Sequence, residues 1–316
     1  MNTYPLLEEV FGQHIKKDVN FSSALTMKMR VVAQYYYEPK SIEDWQKIIR
    51  LTYDNDIPFL ILGGGSNLAT FTGVIPGVVI RNRYMHMSTV DELDNHIDLK
   101  ISSGYPIGYV VKETIKQGLS GFEYHMGLPG TLGGAIYMNS KWTQPVSYVS
   151  DTLLLGTILD KDGQIREEPK EYFEFAYDYS RLQRTGEIFL DGVFRLSKED
   201  PQVLQKRAQK SIRYRKKTQP AGVATVGCFF QNIPQSLQNK YNLPSQSAGY
   251  LIDQAGMKGK QVGDFQVSKK HANFIINKGN GKPEDLKKLM QQVKDAVKKK
   301  FTINLIEEVR IIGNSK

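Results

Sequence analysis

Two glycine-rich stretches hold the residues of this chain best suited to binding chemistry. The first is GGGSNL: Gly63, Gly64, Gly65, Ser66, Asn67 and Leu68. Glycines let the backbone turn sharply and approach a ligand closely. Successive backbone N–H groups can then cradle a pyrophosphate, and Ser66 and Asn67 add polar side chains. No Gly-Lys-Ser/Thr follows, so this is not a Walker loop. No third glycine stands at dinucleotide-fingerprint spacing, and no amphipathic helix follows directly. Taken alone, the stretch reads as readily as a tight turn. The second stretch is GLPGTLGGAIYMNS, residues 127–140. Gly130, Gly133 and Gly134, with Pro129, Ala135 and Asn139 beside them, would allow flat approach of an aromatic ring system or a pyrophosphate. Its plain reading is a glycine-rich loop between layers. Two such stretches in one chain are harder to dismiss, and both would need to face one cleft.

The elements around them follow from local signals. Residues 41–55 read as a helix with Ser41 as N-cap and Asp44 in its first turn. Residues 57–62 are a buried strand running straight into the first glycine stretch. Residues 77–82 and 96–103 read as further strands. Pro106 opens a helix through Lys116 that Gly118 ends. Residues 152–165 form a hairpin turning at Asp162-Gly163, and 187–197 another strand. After Ser197 come a basic helix at 200–215, a loop through 218–245, a helix at 246–255 and a strand at 271–277. A helix at 283–300 and a final strand at 304–313 close the chain. Boundaries are expected near 75 and 197, giving units 1–75, 76–197 and 198–316. Strands and helices mix without regular alternation, which favours α+β over a doubly wound sheet.

Composition sets the outer limits. The chain has 316 residues, 40% apolar and 24% charged. That balance fits globular domains and excludes wholesale disorder. No apolar run reaches the ~18 residues of a membrane span, and the N-terminus lacks the pattern of a secretory signal. Cys228 is the single cysteine, which excludes an internal disulfide and a CxxC metal site. A cytoplasmic protein is expected. No HExxH, paired histidines or cysteine cluster suggests a metal. The net charge of +9 is concentrated at 206–217 and 287–300. The second of these reads as a helix with a solvated lysine face, carrying Leu289, Met290, Val293 and Val297 on its apolar side. A small anionic ligand such as a nucleotide sugar accounts for the first. Neither nucleic acid nor membrane is expected as a partner.

In order along the chain stand ILGGGSNL, GLSGFEYHMGLPGTLGGAIYMN, SAGYLIDQAGMKG, VSKKHANFIIN and EEVRIIG. Together they resemble the UDP-N-acetylenolpyruvoylglucosamine reductases (UDP-N-acetylmuramate dehydrogenases) in their compact form. The resemblance runs from about Leu25 to Gly313. It implies an FAD-binding fold of the vanillyl-alcohol-oxidase type, with two α+β subdomains and a C-terminal α+β substrate-binding domain. It further implies FAD as cofactor, NADPH as reductant, a UDP-sugar as substrate and a monomer. The reaction implied reduces UDP-N-acetylglucosamine enolpyruvate to UDP-N-acetylmuramate, in peptidoglycan precursor synthesis.

Site residues carry over from the same resemblance. The family's proton-donating serine lies in Gly-Ser-x-Phe-Lys-Asn-Pro; here VGCFFQNIP aligns Gly227, Cys228, Phe230 and Asn232, which makes Cys228 the donor. A lone cysteine is otherwise a small core residue, but a thiol with a reference pKa of about 8.5 is a competent acid. The family's carboxylate in Glu-Val-Arg becomes Glu308, and strand alternation would turn its neighbour Glu307 the other way. Arg215, Lys217 and Asn232 are the expected substrate contacts, with Arg215 suited to a diphosphate. His271, Ser268 and Asn273 match recurring positions and read equally as structural.

Three departures stand out. Where the family has Tyr-Arg-x-Ser, this chain has Tyr177-Asp178-Tyr179-Ser180, and an aspartate would repel a substrate carboxylate. Arg181 is three positions on, which changes its side-chain direction. Arg30 and Val31 stand where an early Thr-x-x-x-Gly-Gly-Pro stretch has its glycines. Ser140-Lys141-Trp142-Thr143-Gln144 replaces an Ala-Gly-Ala-Tyr-Gly stretch. The change at Asp178 leaves a relocated cation, weak activity, or a divergent FAD-binding homologue with lost or altered activity as the alternatives.

Overall fold

The computed structural model describes residues 4–313. The chain divides into two compact units. The first holds residues up to 17, 34–64 and 76–215; the second holds 18–33, 65–75 and the chain from 216 onward.

The first unit contains an antiparallel sheet in the order Ile165–Pro169, Leu153–Leu159, Ile188–Lys198, His96–Ser102, Met87–Glu92. Its central strand is buried without a break from Ile188 to Phe194, as a strand covered on both faces should be. Helix Ile107–Lys116 turns Ile107, Val110, Val111 and Ile115 into the core with Phe122, Phe173 and Phe194. Elsewhere in this unit Phe59–Leu62 runs parallel to residues 78–81, with Phe59 opposite Val78. Helix Ile42–Asp54 precedes that strand. Ser41 and Asp44 form a reciprocal capping box at its start, and Trp45, Ile48 and Ile49 are its buried stripe. Trp45 is 0% exposed; its truncation to alanine would cost about 3–5 kcal/mol.

The second unit packs helices Ala248–Gln254 and Pro283–Phe301 with the antiparallel strands Gln261–Val262, Phe265–Val267 and Ile275–Asn277. The long helix buries Leu286, Leu289, Met290, Val293 and Val297 and leaves Lys287, Lys288 and Lys298–Lys300 in solvent. Glu284 and Asp285 at its start and three lysines at its end complement the helix dipole. Arg310–Ile312 pairs in parallel with Leu68–Thr70.

Several elements differ from the sequence reading. The stretch 127–140 is not all loop: Leu132–Tyr137 is helical, with Thr131 as N-cap. Two adjacent glycines disfavour a helix, and tertiary packing overrides them. The expected strand 304–313 is reduced to Arg310–Ile312, because the chain before it bonds to a different partner. There Gln231 N donates to Ile306 O and Glu308 N to Phe229 O, before Arg310 N turns to Asn67 O. Residues 271–274 form a turn, leaving Ile275–Asn277 as strand. A hairpin, Lys141–Thr143 with Val146–Tyr148, had no clear sequence signal. Among the described residues no helix is long and apolar enough to cross a membrane, and no group of His, Cys, Asp or Glu is placed to hold a metal.

Candidate active site

The two glycine stretches lie against each other in the first unit. A Cβ on Gly64 would fall 2.4 Å from the Cα of Gly130, and one on Gly63 would fall 2.5 Å from Oγ1 of Thr131. A Cβ on Gly133 would sit 2.7 Å from that of Ser103. These glycines let two backbones cross closely. Gly130 adds a φ of 109°, open to glycine and strained for other residues. Leu132 N and Gly133 N donate to the carbonyls of Tyr105 and Ser103 at 2.8 and 2.9 Å. Gly134 N donates to Thr131 Oγ1 at 3.3 Å. The first turn of the short helix is thus bonded within the protein. Gly134 itself is exposed, and a Cβ there would meet only Thr131 Oγ1 at 3.6 Å. The crossing leaves one glycine face bare, a surface suited to a flat ligand. Pro129 is exposed and Ala135 buried. Asn139 is buried: its Nδ2 donates to Ala176 O at 2.9 Å and its Oδ1 accepts from Ser150 Oγ at 2.6 Å. It anchors the turn that follows the helix.

The rest of the first stretch belongs to the second unit. Gly65 has a φ of 60°, and a Cβ on it would fall 2.2 Å from Ala24 O. Its carbonyl accepts from Thr26 N at 3.1 Å and Thr26 Oγ1 at 3.3 Å. Asn67 Nδ2 donates to Glu308 O at 3.2 Å, and Leu68 pairs with Arg310. Ser66 is half-buried. Val31, at a position where the resemblance expected glycine, is 1% exposed and part of the core.

Cys228 and Glu308 lie on two segments of this unit that are joined through Phe229 and Phe230. Cys228 bridges Phe274 on one side, and Phe230 bridges Glu307 on the other. Asn273 clamps the segment: Phe230 N donates to its Oδ1 at 3.0 Å, and its Nδ2 donates to Phe230 O at 2.7 Å. Glu308 N and Val309 N both donate to Phe229 O, at 2.9 and 3.5 Å. Two residues facing one is a bulge, a device that re-aims side chains at the end of a pairing. Phe229 and Phe230 are buried, whereas Cys228 and Glu308 are half-buried. Glu307 accepts from Lys294.

The other expected residues take varied places. Asn232 Oδ1 accepts from Ala248 N at 3.1 Å, holding the start of helix Ala248–Gln254. Ser268 Oγ accepts from the N–H groups of Lys270 and His271. His271 Nδ1 accepts from Asn273 N at 3.3 Å, and burial lowers the ring's pKa. These two are local turn fixtures. Lys217 is exposed. In the first unit, Arg215 lies 4.8 Å from the centroid of the Trp142 ring, with its Nε buried and without a hydrogen-bond partner. Burial pushes its pKa down. His125 is 0% exposed. Burial, and then the charge of Arg215, push its pKa down to about 4, so it is neutral near pH 7. Sequence reasoning gave no role to His125 and read Trp142 only as part of a departure from pattern, since only the fold brings them beside Arg215.

The chain is 33% identical over 312 residues to the UDP-N-acetylenolpyruvoylglucosamine reductase of Clostridium tetani, covering 98% of this chain and 96% of that one. It is 33% identical over 303 residues to the reductase of Chlamydia abortus, covering 96% of each. The chain belongs to this reductase family. Residues 33–168 match the FAD-binding domain family, and residues 219–312 match the C-terminal domain of UDP-N-acetylenolpyruvoylglucosamine reductase. The crystal structure of the Thermus caldophilus reductase aligns with a TM-score of 0.75 at 27% identity, covering 93% of this chain and 97% of that one. A VAO-type flavoprotein from Myceliophthora thermophila shares the fold, with a TM-score of 0.57 at 10% identity, covering 94% and 84%. The fold is therefore the α+β, FAD-binding fold of the vanillyl-alcohol-oxidase type, and the chain is an FAD-binding oxidoreductase.

Against the pattern expected from the resemblance, position 178 holds an acid in place of an arginine. Asp178 is half-buried in left-handed backbone, with a φ of 51°. Burial pushes its carboxyl up to about 6, against the opposing pulls of Tyr177 and Lys141. Arg181 does not turn toward it as a substitute. Its guanidinium donates to Glu174 at 3.1 Å and lies 4.3 Å from the ring centroid of Tyr172.

Proposed function

We propose that this chain reduces the enol ether of UDP-N-acetylglucosamine enolpyruvate to UDP-N-acetylmuramate, with NADPH as reductant, as a step of peptidoglycan precursor synthesis. The observation that carries this reading is the backbone pairing of Phe229–Gln231, the segment that follows Cys228, with Ile306–Val309, the segment that holds Glu308.

The crossed glycines fit a dinucleotide cofactor, and Gly63–Leu68 with Pro129–Ala135 would hold FAD. Bound FAD supplies the hydride that no side chain can donate. The chain's own residues supply the rest. Cys228 gives a proton to the carbon that develops enolate character. Glu308 directs the substrate carboxylate while that charge grows. Arg215, backed by Trp142, meets the diphosphate with its guanidinium edge. Lys217 adds charge, and Asn232 positions the substrate from the start of its helix. In this division the segments 1–75 and 76–197 serve the cofactor and 198–316 the substrate. The protein works as a cytoplasmic monomer.

The charge at Asp178 favours a second reading, a divergent homologue that binds FAD and has lost or altered this activity. Incubation of the purified protein with NADPH and the enolpyruvyl nucleotide sugar separates the two. Mass spectrometry should find a product heavier by two hydrogens. Flavin-loaded protein that makes no such product would favour the second reading.

A further inference from the structure

Two of the three departures from the family pattern meet in space. Lys141 opens the hairpin Lys141–Thr143/Val146–Tyr148, directly across from Tyr148. Its ammonium lies 5.4 Å from the Tyr148 ring centroid and 5.8 Å from that of Tyr177, the neighbour of Asp178. It is the cation whose charge acts on Asp178. The hairpin root is fixed, because Asn139 is tied to Ala176 O and Ser150 Oγ. The hairpin also carries Trp142, on which Arg215 stacks. One short hairpin thus supports the expected diphosphate contact and places a lysine at the altered position.

Asp178 has one buried carboxylate oxygen, Oδ2, with no hydrogen-bond partner. An orphaned buried oxygen is costly unless a ligand or a proton satisfies it. We infer that Lys141 is a further substrate-binding cation of this protein, receiving the carboxylate of the enolpyruvyl group at the place where Asp178 leaves an unpaired oxygen. This rests on the reductase reading above. Two aromatic faces hold the ammonium by cation–π attraction and limit its wandering. Burial favours the protonated form of Asp178. An arriving carboxylate strengthens that preference, and a proton from solvent settles on Asp178. The side chain then donates to the ligand, and the lysine charge is no longer balanced by an anion.

The test uses the flavin-loaded full chain, reduced by NADPH and then mixed with the enolpyruvyl nucleotide sugar. Lys141→Gln should keep its flavin and its melting temperature while the substrate KM rises about tenfold to a hundredfold, the scale of one charge-assisted hydrogen bond. Lys141→Arg should stay within a few-fold of the unaltered protein. Asp178→Arg in the Lys141→Gln background should recover part of the loss, because it restores one cation to the same place. Unchanged KM in Lys141→Gln, or no recovery in the double variant, overturns the lysine assignment alone. Failure of the unaltered protein to be reoxidised by the substrate overturns the reductase reading and the inference with it.

Discussion

The side-chain amide of Asn67 donates to the backbone carbonyl of Glu308 at 3.2 Å, across 241 positions of sequence. Together with the bond from Arg310 N to Asn67 O and the pairing of Leu68–Thr70 with Arg310–Ile312, it ties the end of the glycine loop to the backbone that carries Glu308. Asn67→Asp replaces the donor with a second acceptor. Removing such a bond costs about 0.5–1.5 kcal/mol, and repulsion adds to it. Turnover should fall by about tenfold, and the melting temperature should drop; steady-state kinetics and calorimetry check both.

Gly64 and Gly134 should answer an alanine scan differently. The added methyl of Gly64→Ala would fall 2.4 Å from Gly130 Cα, where backbone must move. That of Gly134→Ala would have 3.6 Å to its nearest neighbour. Gly64→Ala should be unstable and poor in flavin. Gly134→Ala should fold normally and weaken only flavin binding. Flavin content after gel filtration, with a thermal melt, distinguishes these outcomes.

Cys228 is expected to act on the substrate and not on the cofactor. Cys228→Ala should leave reduction of the flavin by NADPH intact and slow substrate reduction by about a hundredfold or more, the usual scale for a general acid. Cys228→Ser should keep part of the rate. Equal half-reaction rates in the alanine variant would remove the thiol from the mechanism.

His125 predicts the acid limit of stability. Its folded pKa is about 4, below the ordinary 6.5. Between those values the unfolded chain binds more protons than the folded one. The stability contribution is therefore complete above pH 6.5 and is lost as pH falls toward 4. His125→Gln should flatten the dependence of urea-unfolding midpoints on pH across that window.

Asp178 works in the opposite sense. Its folded pKa of about 6 exceeds the ordinary 3.8. The folded protein holds the proton more tightly, so its contribution is complete below pH 3.8 and is lost as pH rises through 6. Asp178→Asn should gain stability over the unaltered chain on going from pH 5 to pH 8, as denaturant melts at both values would show.

Much of this architecture was legible in residue order. The capping pair Ser41 and Asp44 announced its helix, and the apolar stripe from Leu289 to Val297 announced another. Both signals are local, and local signals survive folding. The ordered motifs also identified the cofactor and family. The crossing of Gly64 on Gly130 could be expected only in outline, since tertiary contacts set it. Lys141 and Trp142 were visible as a departure from pattern, but their partners Asp178 and Arg215 are distant in sequence. The strand expected at 304–313 was lost for a similar reason. Its alternating apolar residues fit a ladder, yet the chain changes partners at Glu308, and a period of two does not reveal a change of partner.

The most direct test of the account is anaerobic and visible. The purified protein should be yellow, bleach on addition of NADPH, and regain its flavin absorbance when UDP-N-acetylglucosamine enolpyruvate is added. A colourless protein that takes up no FAD, or a bleached one that the enolpyruvyl sugar leaves reduced, would contradict it.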